Sequence, residues 1–190
     1  MKRSFGREGF TLVEFMVGLC VAGLIMAGAV AMVGESVPNW RLHQAVGDVA
    51  ATLRAARAKA VQDGDNVTVP FDIDGQRYVI VTRGAGFGVE VQTTTYFDAA
   101  KAAPCYSTQR TSRLPGQVRF ARPDGQELIT LSPPGTSDKA VQFNAKGLLL
   151  SRTSSGFVYI GIPDKKLYRR VKVNVVGAVT VETWNGSKWV

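Results

Sequence analysis

The chain has 190 residues, enough for one globular domain with an appended segment and too few for two ordinary domains. Its formal net charge is +8, but the basic residues are dispersed, which is more typical of a solvated surface than of a nucleic-acid site. The two cysteines, Cys20 and Cys105, lie in an apolar run and in a loop, so the sequence predicts neither a disulfide scaffold nor a zinc site.

The chain begins with a short basic stretch, residues 1–9, followed by a long apolar run. Residues 15–33 contain no charged side chain. A helix over residues 10–34 would extend roughly 37 Å at about 1.5 Å per residue, enough to cross a hydrocarbon core of about 30 Å. The basic residues before the run place the N-terminus in the cytoplasm and the rest of the chain on the other side. The sequence therefore predicts a single-pass membrane anchor.

The junction between these two parts reads Gly-Phe-Thr-Leu-Val-Glu over residues 9–14. Together with the basic leader and the long apolar run, it resembles the class III signal of type IV pilins and type II secretion pseudopilins. The resemblance implies that a prepilin peptidase cuts after Gly9 and methylates the new N-terminus at Phe10. It also implies that Glu14 pairs with the α-amino group of a neighbouring subunit. A carboxylate in an apolar run calls for such a partner, because alone it costs at least about 2.5 kcal/mol.

The apolar run departs from the usual pilin pattern in one respect. Many pilins have a helix-kinking proline at the twenty-second mature residue, which is Ala31 here, whereas this chain has Pro38. Glycines are also dispersed through the run. A proline inside a helix removes a backbone hydrogen bond, so the sequence predicts a bend near residues 34–38 and not in the middle of the run.

A second helical pattern follows the proline. Its apolar residues recur at intervals of three and four and are Leu42, Val46, Val49, Leu53, Ala56 and Ala60. Gly64 supplies a C-terminal stop signal. The sequence therefore predicts an amphipathic helix that packs on a sheet and ends at Gly64, with the only histidine, His43, on its surface.

From residue 67 the apolar pattern changes to alternation. Strands are predicted over residues 67–71, 77–81, 88–94, 117–121, 127–131, 140–143, 157–162, 168–175 and 179–184. Turns are predicted at residues 72–75, Asp124-Gly125, Lys146-Gly147, Val176-Gly177 and Asn185-Gly186. The stretch from Tyr96 to Pro115 lacks periodicity and is predicted to be a long loop.

One helix followed by many strands predicts an α+β fold. In this pilin-type fold a long N-terminal α-helix packs on an antiparallel β-sheet head. The predicted organisation is a cleaved leader (1–9), a transmembrane and assembly helix (10–34), an amphipathic helix (35–64) and a β-rich head (65–190).

Three stretches of the head extend the resemblance. Residues 51–61 followed by 67–69, residues 141–147, and residues 169–173 before a turn at Gly177 resemble the GspH/FimT family of H-type pseudopilins and FimT/FimU minor pilins. The resemblance implies a minor filament subunit of a priming or tip complex. Its partners would be other pilins, the prepilin peptidase, the inner-membrane assembly platform and membrane lipid. Before assembly it would sit in a bacterial inner membrane with its head in the periplasm. A type IV pilus and a type II secretion system both remain open.

A third alternative is a competence pilin that binds DNA. Some FimT-like pilins do so through a Gly-Arg-x-Arg segment, and the matching residues 177–180 here contain no arginine. Arg169, Arg170 and Lys172 are the nearby candidates for binding an anion. Strand alternation places Arg170 and Lys172 on one face and Arg169 on the other.

An enzyme is the remaining class. Catalysis needs a nucleophile with a base, paired carboxylates in a cleft, or a metal cluster. The sequence has one histidine, no phosphate-binding loop and no dinucleotide fingerprint. It therefore predicts no enzyme, no cofactor and no metal site.

Overall fold

The computed structural model describes residues 11–83, 106–108, 112–131, 139–150 and 155–190, and for residues 27–35, 82–83 and 106–108 it describes the backbone alone. The chain divides into two compact units, Met1–Val37 and Pro38–Val190. The second unit is called the head below. One helix, α1 (Leu12–Asp63), contributes residues to both units.

The described part of the head contains ten short strands after α1, and all their pairings are antiparallel. The strands are β1 (Val67–Asp72), β2 (Arg77–Tyr78), β3 (Val81–Arg83), β4 (Tyr106–Thr108), β5 (Ser112–Arg113), β6 (Arg119–Phe120), β7 (Ala140–Phe143), β8 (Ser155–Ile162), β9 (Leu167–Asn174) and β10 (Val179–Thr183). A 3₁₀ turn, Pro163–Lys165, joins β8 to β9. The predicted α+β fold, a long helix with an antiparallel head, is confirmed.

The strands form two sheets. In the first, β1 pairs with β7 along one edge and with β2 and β3 along the other, while β5 and β4 continue the sheet beyond β2 and β3. The second sheet has the order β10-β9-β8-β6.

One hydrophobic core lies within the head. All six apolar residues of the predicted helical stripe are buried. They belong to one core cluster with alternate residues of β1, β7, β8 and β9, among them Val69, Phe143, Val158 and Val171. Since a fully buried aliphatic or aromatic side chain contributes about 1.5–3 kcal/mol, this stripe is what holds the second part of α1 on the strands.

The end of α1 is confirmed at the predicted position. The helix ends at Asp63, and Gly64 follows with a φ of +66°. That left-handed conformation is the usual stop after a helix, and glycine adopts it without steric cost. Pro38 lies inside α1, and the predicted bend at residues 34–38 stays a prediction.

The predicted strand 77–81 is wrong in its extent, because the structure has two strands, β2 and β3, with Val79 and Ile80 between them. The register is nonetheless shared, since Phe71 pairs with Tyr78 and Thr68 with Val81. Val79 N–H donates to the Pro70 carbonyl over 3.4 Å. Pro70 has no N–H with which to return that bond, so the ladder is interrupted opposite the proline.

The predicted loop from Tyr96 to Pro115 is also wrong in part. It contains β4 and β5, which pair with β3 and β2. The segment from Tyr106 to Arg113 is almost entirely polar, so its pairing is made by the backbone and leaves no apolar alternation in the sequence. The remainder of that loop and the predicted strand 88–94 lie outside the described residues.

Two further predicted strands are shorter in the structure. The prediction at 117–121 is reduced to β6, and that at 127–131 is reduced to a single bridge from Ile129 to Val158. Both lie along the same edge of β8. A turn closed by the Gly125 N–H on the Arg122 carbonyl separates them, so neither piece lengthens into a full strand. The predicted strands at 140–143, 157–162, 168–175 and 179–184 are confirmed within one or two residues.

Two turns of related sequence close over the last turns of α1. Residues 144–147 and 174–177 both read Asn-x-x-Gly, and in each the glycine N–H donates to the asparagine carbonyl. Arg57 Nε donates to the Gly147 carbonyl over 3.1 Å. A Cβ added at Gly177 would lie 2.2 Å from that same carbonyl oxygen. Helix and turns are therefore packed without spare room.

The outer edge of β10 is largely occupied. Trp184 and Ala178 bond to β9, so the backbone groups of the alternate residues Val179, Val181 and Thr183 point away from it. Arg54 donates to the Val179 carbonyl, and Thr183 exchanges two hydrogen bonds with Val190. Among the described residues of this edge, only Val181 has neither its N–H nor its carbonyl hydrogen-bonded.

Candidate functional site

The resemblance assigns processing to Gly9 and Phe10 and assembly to Glu14. Gly9 and Phe10 are outside the described residues. Glu14 is exposed in the first turn of the helix, and its backbone N–H donates to Thr11 Oγ1 over 3.2 Å. Thr11 therefore caps the helix, and Glu14 occupies the third helical position of a Thr-x-x-Glu capping motif.

This geometry gives Glu14 a local role as well. A carboxylate in the first turn is stabilised by the unpaired N–H groups and the dipole at a helix N-terminus. The Thr-x-x-Glu spacing is a helix-start signal in the sequence, and it adds Thr11 to the residues of this site. The capped first turn places Glu14 at the beginning of α1.

The residues from Leu12 to Met26, called the apolar segment below, expose large hydrophobic side chains. These are Leu12, Val13, Phe15, Met16, Val17, Leu19, Val21, Leu24, Ile25 and Met26, each at least half exposed. Their spacing distributes them over every face of the helix. A helix that is apolar all round is a helix that is buried in a larger assembly or in lipid.

Within the described part of the chain, no helix is both long enough and apolar enough to cross a membrane.

The candidate anion-binding residues are brought together only in part. Arg170 and Lys172 lie on one face of β9, as alternation predicts, and both approach Glu182 of β10. Arg170 donates through Nε to Glu182 Oε2 over 2.6 Å, and Lys172 Nζ lies 3.8 Å from Glu182 Oε1. An incoming phosphate would have to compete with that carboxylate for both cations.

Aromatic rings complete the surroundings of Arg170. Its guanidinium carbon lies 4.3 Å from the centroid of the Phe157 ring and 4.7 Å from that of Trp189. Trp189 in turn packs against Tyr159 and Trp184. Cation–π contacts of this kind contribute about 0.5–2 kcal/mol each. Arg170 is thus a structural residue of the outer face of the second sheet, and no sequence motif signalled this aromatic cluster.

Arg169 lies on the opposite face of β9, against the beginning of the second part of α1. Its guanidinium donates to Asn39 Oδ1 over 3.3 Å and hydrogen-bonds His43 Nδ1. Partial burial lowers the pKa of Arg169 from its usual value. The three basic residues therefore do not converge on one point, and anion binding by them stays a prediction.

The remaining candidates are the two cysteines and a possible metal site. Cys20 is exposed on α1, and Cys105 lies outside the described residues. Among the residues described, no group of three or more His, Cys, Asp or Glu side chains is arranged to hold a metal ion.

No protein-family model matches the chain, and no curated protein sequence matches it. Solved structures do resemble it. The minor pseudopilin EpsH from the type 2 secretion system of Vibrio cholerae is 9% identical with a TM-score of 0.49, over 74% of this chain and 95% of that one. The type IV minor pilin FimU of Pseudomonas aeruginosa is 18% identical with a TM-score of 0.45 in two crystal forms, over 78% and 80% of this chain and 97% and 94% of those.

Proposed function

We propose that the chain is a minor structural subunit of a type IV pilus or a type II secretion pseudopilus, assembled through the apolar segment. The observation that carries the proposal is the contrast along α1. Its second part is packed within the head, whereas the large side chains of the apolar segment are exposed on all sides. Such a segment is stable only when other apolar surface covers it.

The covering surface would be lipid before assembly and the equivalent helices of neighbouring subunits afterwards. Lateral packing of apolar helices relies on close contacts, and the exposed Gly18 and Gly23 have nothing within 4 Å of an added Cβ, so a neighbour's side chain has room there. Glu14 at the capped start of the helix would pair with the α-amino group of a neighbour's Phe10. A charge-assisted pair in low dielectric fixes the axial register between subunits.

Processing is tested by substituting Gly9. We expect Gly9→Val to leave the precursor uncut, so that a blot of membranes shows the longer chain. Gly6→Val is the matched control, because it places the same side chain in the leader away from the junction and should be cut normally. Normal-sized protein from Gly9→Val would contradict cleavage at this site.

Assembly is tested by substituting Glu14. We expect Glu14→Gln to be processed normally but recovered at a much lower level in sheared filaments, since the amide carries no charge for the neighbour's amine. Thr11→Ala separates this role from helix capping: it removes the cap, worth about 1 kcal/mol, and keeps the carboxylate. Undiminished recovery of Glu14→Gln, or an equal loss with Thr11→Ala, would argue against the charge pair.

The proposed location is tested by protease access. We propose that the N-terminus stays in the cytoplasm while the head faces the periplasm, because the basic leader precedes the apolar run. Protease added to spheroplasts should then degrade the head. Protection of the head in intact spheroplasts, with digestion only after lysis, would contradict the proposed orientation.

The two filament systems are distinguished by the genes that flank this one. A secretion ATPase and a secretin of the same operon would identify the pseudopilus and a role in protein export, whereas pilus retraction genes would identify the pilus. Either result leaves the structural role unchanged.

A further inference from the structure

Among the residues that the structure describes, most of the basic side chains of the head that lack an acidic partner lie at one end. The ends are defined by how β9 runs along α1. Arg169, near the start of β9, contacts Asn39, whereas the turn after β9 lies against Arg57. The proximal end is therefore the one at which α1 begins within the head.

A cleft opens at this proximal end between the turn after β1 and the segment from β5 to β6. Its volume is about 520 Å³, and Gln76, Arg113 and Arg119 are among its lining residues. Arg41 of α1 reaches the same place, because a Cβ added at Gly116 in the cleft wall would lie 4.0 Å from its guanidinium. Three arginines from three separate elements thus converge on one cleft.

These arginines are exposed and, within the described residues, have no acidic partner. Asp72 lies beside the cleft, next to Gly75, and is already paired with Arg77. Elsewhere in the head Glu182 pairs with Arg170. Asp74 is the one acid in the cleft lining.

The neighbouring turns add to the positive charge. The 3₁₀ turn after β8 and the turn after Trp184 lie at the same end, since β9 begins there and Trp184 N–H donates to the Tyr168 carbonyl. These turns contribute the exposed bases Lys165, Lys166 and Lys188, with Asp164 as their acid.

An exposed tryptophan stands beside this surface. Trp40 is 60% exposed and precedes Arg41 on α1. Tryptophan has an apolar body with one polar N–H, and it is enriched where a bilayer meets water. Exposed basic side chains at the same end of the head attract anionic lipid headgroups.

We propose that the proximal end binds the surface of an anionic bilayer, with Trp40 in the headgroup layer and Arg41, Arg113 and Arg119 on lipid phosphates. The proposal rests on the proposed function, in which the apolar segment resides in lipid before assembly. A bilayer is favoured over nucleic acid because this surface follows closely on the apolar segment in the sequence and includes an exposed tryptophan. The head would thereby be held at the membrane until it is withdrawn into a filament.

The test uses the full chain reconstituted into vesicles of phosphatidylcholine, with or without phosphatidylglycerol, and with lipids brominated near the headgroup. The chain has two other tryptophans. The quenching of Trp40 fluorescence by the brominated lipid is therefore measured as the difference between the wild type and Trp40→Phe. We expect this quenching to be at least about twofold stronger in the anionic vesicles, and to weaken as salt is added.

Arg113→Gln/Arg119→Gln should abolish the dependence on anionic lipid. Lys59→Gln/Lys146→Gln removes the same charge near the other end of the head, where α1 ends and the turn at Gly147 lies beside it, and should preserve the dependence. Equal quenching in the two kinds of vesicle, or equal effects of the two double variants, would overturn the proposal. Competition by nucleic acid would also overturn it. In that case short duplex DNA, at a phosphate concentration below that of the anionic lipid, would abolish the Trp40 quenching in anionic vesicles.

Failure of the proposed function gives a different result. If the apolar segment does not enter lipid, the chain will not sediment with phosphatidylcholine vesicles. Its sedimentation with anionic vesicles, and the loss of that sedimentation in Arg113→Gln/Arg119→Gln, would still report on the proximal end.

Discussion

The two parts of α1 contain the same kinds of apolar residue, but one part exposes them and the other buries them. In the apolar segment the leucines, valines and phenylalanine are exposed, whereas in the head Leu42, Val49 and Leu53 have almost no exposed surface. Helix propensity does not distinguish the two parts; what covers the side chains does. The described core of the head is covered within one chain, whereas the apolar segment exposes its side chains, which we propose are covered by lipid or by a second subunit. Stability and assembly should therefore respond to different substitutions.

The largest effect is expected from truncating a core leucine. Leu53→Ala should lower the free energy of unfolding of the head by about 2–5 kcal/mol, because a fully buried side chain leaves a cavity. Leu19→Ala, the same change in the apolar segment, should alter it by less than about 0.5 kcal/mol and instead reduce recovery in filaments. Denaturant unfolding and filament recovery measure the two effects. Similar losses of stability in both variants would break the comparison.

A somewhat smaller effect is expected where the turns meet α1. Gly177→Ala forces a side chain into a φ of +75° and against the Gly147 carbonyl, so it should cost more than about 2 kcal/mol. Gly186→Ala is the control, since its φ is +97° but nothing lies within 4 Å of the added Cβ. Its cost should be limited to backbone strain. If the two variants unfold alike, the close packing around Arg57 contributes little.

Acid should weaken the head through Asp72. Burial alone would raise the pKa of Asp72, but the Gly75 N–H and the Arg77 guanidinium outweigh it and lower the pKa below its usual value. A lowered folded pKa gives stability above about pH 4 that is lost as the pH falls through the folded pKa. Asp72→Asn should reduce the loss of unfolding free energy between about pH 4 and lower pH. Asp164→Asn should leave that loss as it is in the wild type. An unchanged acid dependence in Asp72→Asn would refute the assignment.

The smallest effect is expected at a solvated ion pair near the C-terminal end of α1. Lys59 and Asp63 lie 3.1 Å apart, and both are about one-third exposed. Lys59→Gln should lower stability by no more than about 0.3–0.5 kcal/mol and have less effect at high salt. A loss as large as that of Gly177→Ala would show that surface charge, and not packing, secures this part of the helix.

The sequence predicted α1 well because its evidence was local. The three- and four-residue spacing from Leu42 to Ala60 identified the buried face, and Gly64 marked the end. The sheets were harder, because a strand depends on residues distant in the chain. The interruption opposite Pro70 could be seen only once Val79 was known to face it. Likewise β4 and β5 are polar strands held by backbone bonds, for which apolar alternation gives no signal.

The candidate site residues were likewise predictable only where the evidence was local in the sequence. Glu14 was singled out as a charge in an apolar run, and its role in assembly stays a prediction. The hydrogen bond from its backbone N–H to Thr11 Oγ1 appeared only with the structure. Arg170 and Lys172 were placed on one face by alternation, but Glu182 and Trp189 come from later segments that alternation cannot bring to them. The convergence of Arg41, Arg113 and Arg119 had no sequence signal at all, since it depends on three elements meeting at one end of the head.

The occupied edge of β10 has a consequence for crowding. An open sheet edge is a template on which another chain can add a strand, and that reaction leads to aggregation. On this edge Arg54 and Val190 block the positions on either side of Val181, so an invading strand would find a single free residue within the described part of the edge. Heads held at high local concentration would then touch at this edge without pairing strands across it.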